Sequence, residues 1–287
     1  MYRNYISAKS VDEAMAVLQN GGARIIAGGT DLMIALEEGE KDYNTIVDVT
    51  TIPQLREIHR AGDTLIIGPC ATFQEIETNA QIRQLIPALS QAASQVGSPQ
   101  TRNVATLGGN IVNAMPAADG ATALFALSAH VQVAGPNGVR SMPIESCYKG
   151  IGKSVIDPEK EIVTGIIIPL NEVGKSVYKR FALRKSLALP VVAAAAALKV
   201  ENHIIVQARL VLSPAGIMPW VAKEAEAHLQ GAKIDKSLLL SVAADAAAAA
   251  PFRDSPVRCS AAYKHELAHA LLGEAMMELY DAWWMEA

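Results

Sequence analysis

The sequence predicts an α+β chain: a two-part N-terminal domain of alternating short strands and helices, followed by a C-terminal antiparallel sheet with helices on one side. Three observations carry this. Strand-like and helix-like segments alternate to about residue 170. Residues 177–184, 191–200 and 204–213 then read as consecutive strands, and three helical runs follow them at 221–229, 236–250 and 261–284. Two Gly-Gly pairs, Gly28-Gly29 and Gly108-Gly109, each sit after an extended run and before a helical one.

The elements follow in order. Ser10-Val11-Asp12-Glu13 is a capping box that opens a helix through Gln19, and Asn20-Gly21-Gly22 stops it. Residues 24–27 form a strand into the first Gly pair, 31–36 a short helix whose N-terminus faces that loop, and 45–49 a second strand. This unit is βαβ-like, yet no Gly-x-Gly-x-x-Gly occurs in the chain. A strand at 64–68 precedes a second capping box, Thr72-Phe73-Gln74-Glu75, and a helix at 82–94. The polar loop 97–103 delivers the second Gly pair, and Asp119 reads as the N-cap of a helix over 120–128. Pro136-Asn137-Gly138 turns a hairpin between strands 131–134 and 139–141, and 161–169 is a further strand. Asn171-Glu172-Val173-Gly174 is the expected boundary, giving domains 1–173 (subdomains about 1–53 and 54–173) and 174–287.

Composition narrows the function. The chain has 287 residues, 51% of them apolar and 19% charged, which is a globular balance with room for about two cores. Net charge is −4, without a Lys/Arg block longer than two, so neither nucleic acid nor an anionic membrane surface is an expected partner. The longest apolar stretches, such as 187–198, fall short of the ~18 residues of a membrane span. The first five residues lack the apolar core of a signal peptide, and three scattered cysteines, Cys70, Cys147 and Cys259, fit a reducing cytoplasm. They are also too few for a four-cysteine iron–sulfur cluster.

The Gly pairs are the chemical signal. Glycine lets a backbone approach a bulky anion, and successive N–H groups in such a turn form a positively rimmed nest. Two such nests, flanked by Thr30, Asp31, Thr106 and Asn110 and with no Lys or Arg between their glycines, suggest two loops closing on one diphosphate through amides and hydroxyls. An isolated Gly pair is equally an ordinary turn, and Thr30 and Thr106 have an alternative in local hydroxyl–backbone bonds. Asn110 either braces its loop or touches the ligand.

Ala27-Gly28-Gly29-Thr30-Asp31-Leu32 and Thr106-Leu107-Gly108-Gly109-Asn110-Ile111, followed by Pro116-Ala117-Ala118-Asp119, resemble the FAD-binding (medium) subunits of molybdenum hydroxylases, the xanthine dehydrogenase and carbon monoxide dehydrogenase flavoprotein family. The resemblance covers essentially the whole chain. It implies a PCMH-type FAD-binding domain and a C-terminal domain of the CO dehydrogenase flavoprotein type. It places FAD on Ile25, Ile26, Ala27, Gly28, Gly29, Thr30, Asp31 and Leu32, on Thr106, Gly108, Gly109 and Asn110, and on Asp119 as acceptor of a flavin N–H. It adds Val163 through its backbone, and Lys179 as a cation near the flavin, with Arg180, Arg184 and Lys185 as neighbouring alternatives. It further implies partner subunits carrying 2Fe-2S clusters and the molybdenum cofactor, with NAD or another acceptor taking the electrons. No catalytic residue of the chain's own is implied.

Alternatives are a free-standing FAD oxidoreductase, a flavin-free structural subunit and, remotely, a zinc metalloprotease. The last rests on His265-Glu266-Leu267-Ala268-His269, a literal His-Glu-x-x-His that needs a third ligand. Glu274 and Glu278 are near, without metalloprotease spacing. Gly150-Ile151-Gly152-Lys153-Ser154 resembles the end of a P-loop, but Cys147 stands where the first glycine is required.

Overall fold

The computed structural model describes residues 2–40, 42–256 and 258–285. The chain opens with β1 (Asn4–Ser7), α1 (Val11–Gln19), β2 (Ala23–Ile26), α2 (Leu32–Glu37) and β3 (Thr45–Asp48). The strands pair in parallel in the order β1-β3-β2. Ser10 caps α1 by accepting the Glu13 amide at 3.1 Å. The Glu13 carboxylate accepts the Lys9 amide at 2.7 Å, one residue before the position a reciprocal capping box uses.

A second layer follows: β4 (Ile58–Ala61), β5 (Thr64–Ile67), α3 (Phe73–Thr78), α4 (Ala80–Leu85), α5 (Pro87–Ser94), α6 (Pro99–Arg102), α7 (Leu107–Val112) and α8 (Asp119–Ala126). Then come β6 (His130–Gly135), β7 (Gly138–Pro143), the small hairpin of β8 (Tyr148–Gly150) and β9 (Lys153–Ser154), and β10 (Ile162–Pro169). β10 lies between β5 and β6 in an antiparallel sheet of order β4-β5-β10-β6-β7. Thr72 and Glu75 form the full capping box of α3. The helix expected over 82–94 is two helices. Pro87 has no N–H to continue α4, and its ring drives Ile86 out of the helical region, to φ −143° and ψ 59°.

The last third is β11 (Lys175–Phe181), β12 (Val192–Glu201), β13 (Ile204–Ser213) and β14 (Trp220–Val221), antiparallel and in that order, then α9 (Lys223–Leu229), α10 (Lys236–Ala249) and α11 (Ala261–Trp284). Asn202 and His203 both have positive φ, as a two-residue hairpin turn requires. β12 is buried on both faces. Ala193, Ala195 and Ala197 enter a core shared with α5 and α8, while Val192, Ala194, Ala196 and Leu198 enter a second core with α10 and α11. Small side chains on the middle strand let helices approach from both sides. Gly174 is forced by this packing, because a Cβ there would stand 2.6 Å from Lys199 Cα. No helix among the described residues is long and apolar enough to cross a membrane.

Candidate functional site

The first Gly pair forms the expected nest. Gly29 has φ +69°, the left-handed conformation that glycine adopts without strain. Among the described residues, the amides of Gly28, Gly29, Thr30 and Asp31 donate to no protein acceptor. Four consecutive free N–H groups are a ready anion cradle. Thr30 Oγ1 donates to the Asp31 carboxylate at 3.2 Å on the exposed side. Ile25 and Ile26 support the loop from below: the Ile25 amide donates to Pro158 O at 3.0 Å, and Ile26 is buried against Leu36, Tyr43 and Ile46. Ala27 and Leu32 are half-buried at either end of the loop.

The second pair is a helical turn, which corrects the expectation of two similar nests. Thr106 is the N-cap of α7, its Oγ1 accepting the Gly109 amide at 3.2 Å, and Leu107 and Ile111 anchor the helix in the core. A capped apolar i,i+4 pair outweighs the low helix propensity of two glycines. The two glycines then differ in role. The Gly108 amide donates to Pro69 O at 2.8 Å, and a Cβ on Gly108 would lie 2.6 Å from Pro69 Cβ, so its bareness serves packing. A Cβ on Gly109 would meet only Thr106 Oγ1, at 3.1 Å, with open space beyond.

The two motifs converge. A Cβ on Gly28 would fall onto the Val104 carbonyl and 2.9 Å from Ala105 Cα, so the nest presses against the segment leading into α7. Phe73 N–H donates to Ala105 O at 3.0 Å and Leu107 N–H to Ala71 O at 3.1 Å, which pins that segment from its other side. Asn110 braces: its Oδ1 accepts the Ala121 amide of α8 at 3.1 Å. A bare Gly120 makes room for it, since a Cβ there would stand 3.0 Å from Asn110 Oδ1.

Asp119 is the first residue of α8, not its N-cap; Ala118 holds that place. The carboxylate does not cap because it is drawn across to β11. Its Oδ1 accepts from Tyr178 OH at 2.5 Å and from Arg180 Nη1 at 2.9 Å. Burial pushes the Asp119 carboxyl up, with Arg180 and Tyr178 pulling against it. Burial and the adjacent carboxylate push the Tyr178 phenol well up. Val163 is buried in β10 beside a β-bulge, its strand paired with β6.

Lys179 lies elsewhere, which corrects its expected place. Successive strand residues face opposite ways, and Tyr178 and Arg180 occupy the Asp119 face. The Lys179 ammonium instead pairs with Glu278 of α11, at the edge of a groove of about 820 Å³ that Gly273 and Met277 also line. Of the alternatives, Arg184 is exposed and bonds the carbonyls of its own loop, and Lys185 is exposed. Arg180 is thus the alternative that faces Asp119, Tyr178 is the site residue that sequence reasoning left without a role, and the period of the strand was the signal that distinguishes both from Lys179.

His265 Nδ1 lies 2.8 Å from Ala247 O, with its ring edge-on to Phe252. Among the described residues no group of three or more His, Cys, Asp or Glu side chains is arranged to hold a metal ion.

The residues fit FAD: a nest of free amides, a bare glycine facing open space beside it, and a buried carboxylate on the helix braced by Asn110. Comparison with known proteins agrees. Residues 1–171 match the family described as the FAD binding domain in molybdopterin dehydrogenase, and residues 176–279 the CO dehydrogenase flavoprotein C-terminal domain. The chain is 32% identical over 245 residues to the xanthine dehydrogenase FAD-binding subunit of Escherichia coli O157:H7, covering 84% of each. It is 33% identical to the nicotinate dehydrogenase FAD-subunit of Eubacterium barkeri, covering 80% of each. Among solved structures, a chain of carbon monoxide dehydrogenase from Hydrogenophaga pseudoflava superposes with a TM-score of 0.87 at 26% identity, covering 96% of both chains.

Proposed function

The chain belongs to the family of FAD-binding domains of molybdopterin dehydrogenases, and from that premise we propose that it is the electron-transferring FAD subunit of a molybdenum hydroxylase. In this reading electrons leave a substrate at the molybdenum cofactor of one partner subunit and cross 2Fe-2S clusters of another. They pass through this chain's flavin to NAD or another acceptor. Bound FAD would supply a carrier able to take electrons singly and release them in pairs.

The observation that carries the reading is the row of free amides from Gly28 to Asp31 beside the open face of Gly109. The amides, with the Thr30 and Thr106 hydroxyls, hold the diphosphate without a cation. Ile25, Ile26, Ala27 and Leu32 fix the nest, Gly108 and Asn110 fix α7, and Val163 offers backbone at the bulge. Asp119 accepts a flavin N–H through its second oxygen. Arg180, not Lys179, is the cation on the Asp119 side of the sheet. The proposed domains are 1–173 and 174–287, and the free thiols of Cys70, Cys147 and Cys259 suit the cytoplasm.

The test is reconstitution. The purified chain should show flavin absorbance near about 450 nm and should not oxidise purines, aldehydes or N-heterocycles by itself. Turnover should appear when the iron–sulfur and molybdenum chains are added. Substrate oxidation by the lone chain would favour a free-standing oxidoreductase, and absence of flavin a structural subunit.

A further inference from the structure

Arg180 meets three separate parts of the molecule with one guanidinium. Its side chain is 5% exposed, and that of its partner Asp119 is 8% exposed. Nη1 donates to Asp119 Oδ1 at 2.9 Å and to Gln95 O, at the end of α5, at 3.0 Å. Nη2 donates to Ala188 O at 2.8 Å, in the exposed loop 182–190 between β11 and β12. That loop is held at one other place, where Leu187 N–H and Ser186 Oγ donate to Gly97 O, both at 3.0 Å. Leu183, Leu187 and Leu189 point outward from it.

We propose that Arg180 is a positioning residue for the flavin site: it orients the Asp119 carboxylate toward the cofactor and fastens the 182–190 loop to the same carboxylate. This rests on the flavin reading above. With Tyr178 and Arg180 both on Oδ1, the carboxylate has one rotational setting and leaves Oδ2 for a ligand donor. A planar guanidinium with several fixed donors can serve a carboxylate and two carbonyls at once, which an ammonium cannot. The charged and titratable groups facing Asp119 are Arg180 and Tyr178, both from β11. α5 presents uncharged Gln91 and the Gln95 carbonyl, and α7 presents Asn110. Arg209 of β13 serves the other end of α8, at Phe125 O. Removing Arg180 would leave a buried carboxylate without its one cationic partner. Losing the guanidinium removes a group that favours the ionised carboxylate, so the carboxyl moves further up.

The test uses the full chain, FAD titrated against apoprotein by flavin fluorescence, and tryptic cleavage after Arg184 and Lys185. For Arg180→Gln we expect FAD affinity about tenfold or more weaker and loop cleavage faster by a similar factor. We also expect a stronger pH dependence, with the fall in affinity on acidification moved to higher pH than in wild type. Combining it with Asp119→Asn should abolish that dependence, an effect that loosened packing would not produce. Arg180→Lys should keep the wild-type pH profile yet still free the loop, and it carries the test should the Gln variant fail to fold. Wild-type affinity, pH profile and cleavage rate in Arg180→Gln would overturn the proposal alone. Failure of the wild type to take up FAD would overturn the flavin reading and this proposal with it.

Discussion

Gly28 lies against Val104 so closely that no side chain fits between them: a Cβ would fall on the Val104 carbonyl and 2.9 Å from Ala105 Cα. The obstacle is backbone, which cannot rotate away. Gly28→Ala should therefore part the two motifs, lowering stability by about 2–3 kcal/mol and abolishing FAD uptake. Thermal unfolding and flavin absorbance measure the two effects.

Neighbouring glycines should respond in opposite ways. Gly108→Ala drives a methyl into Pro69 and should cost about 1–3 kcal/mol. Gly109→Val meets only the Thr106 hydroxyl, at 3.1 Å, and otherwise open space, so the variant should fold with stability within about 1 kcal/mol of wild type but carry little FAD. Full flavin occupancy in Gly109→Val would remove the diphosphate from that face.

Lys179 pairs with Glu278 on the side of the sheet away from Asp119. The pair is partly exposed, so Lys179→Met should change stability by less than about 1 kcal/mol and leave flavin content unchanged. Loss of flavin in this variant would restore the lysine to the cofactor site.

Glu161 gives an acid sensitivity with a definite sign. Burial raises its carboxyl, but hydrogen bonds from Arg140 and the Asp157 amide outweigh that, and the net shift is downward. A lowered folded value means the stabilisation is present above the ordinary carboxylate range and is lost as pH falls through the folded one. Glu161 holds the turn whose Pro158 carbonyl accepts the Ile25 amide beneath the nest. Glu161→Gln should therefore lower stability at neutral pH and flatten its decline in acid, as urea titrations between about pH 7 and 3 would record.

Burial pushes the Cys70 and Cys147 thiols up to about 12. Both therefore stay protonated and unreactive at pH 8. Native protein treated with iodoacetamide should gain at most one adduct, on Cys259, and peptide mass spectrometry would locate it.

Local signals read well from the sequence and distant ones did not. The Thr72–Glu75 capping box and the limits of α11 depend on a few adjacent residues, and both stand as expected. The nest at Gly29 was legible because positive φ is a local demand. The difference between Gly108 and Gly109 was not, since it is set by Pro69, brought alongside only by the fold. Asp119 read as a cap because its partners Tyr178 and Arg180 lie on a strand far along the chain. Alternation separates Lys179 from Arg180, but which of the two faces inward depends on where α8 packs.

The alanine run of β12 bears on how the molecule comes apart. A strand with one face in each core is a party wall: neither room stands if it is removed. Cutting the chain at Gly174 would strip α5 and α8 of their floor, and α10 and α11 of their ceiling. The nucleotide-binding half and the C-terminal half should therefore melt in one transition rather than as exchangeable modules, as calorimetry would record.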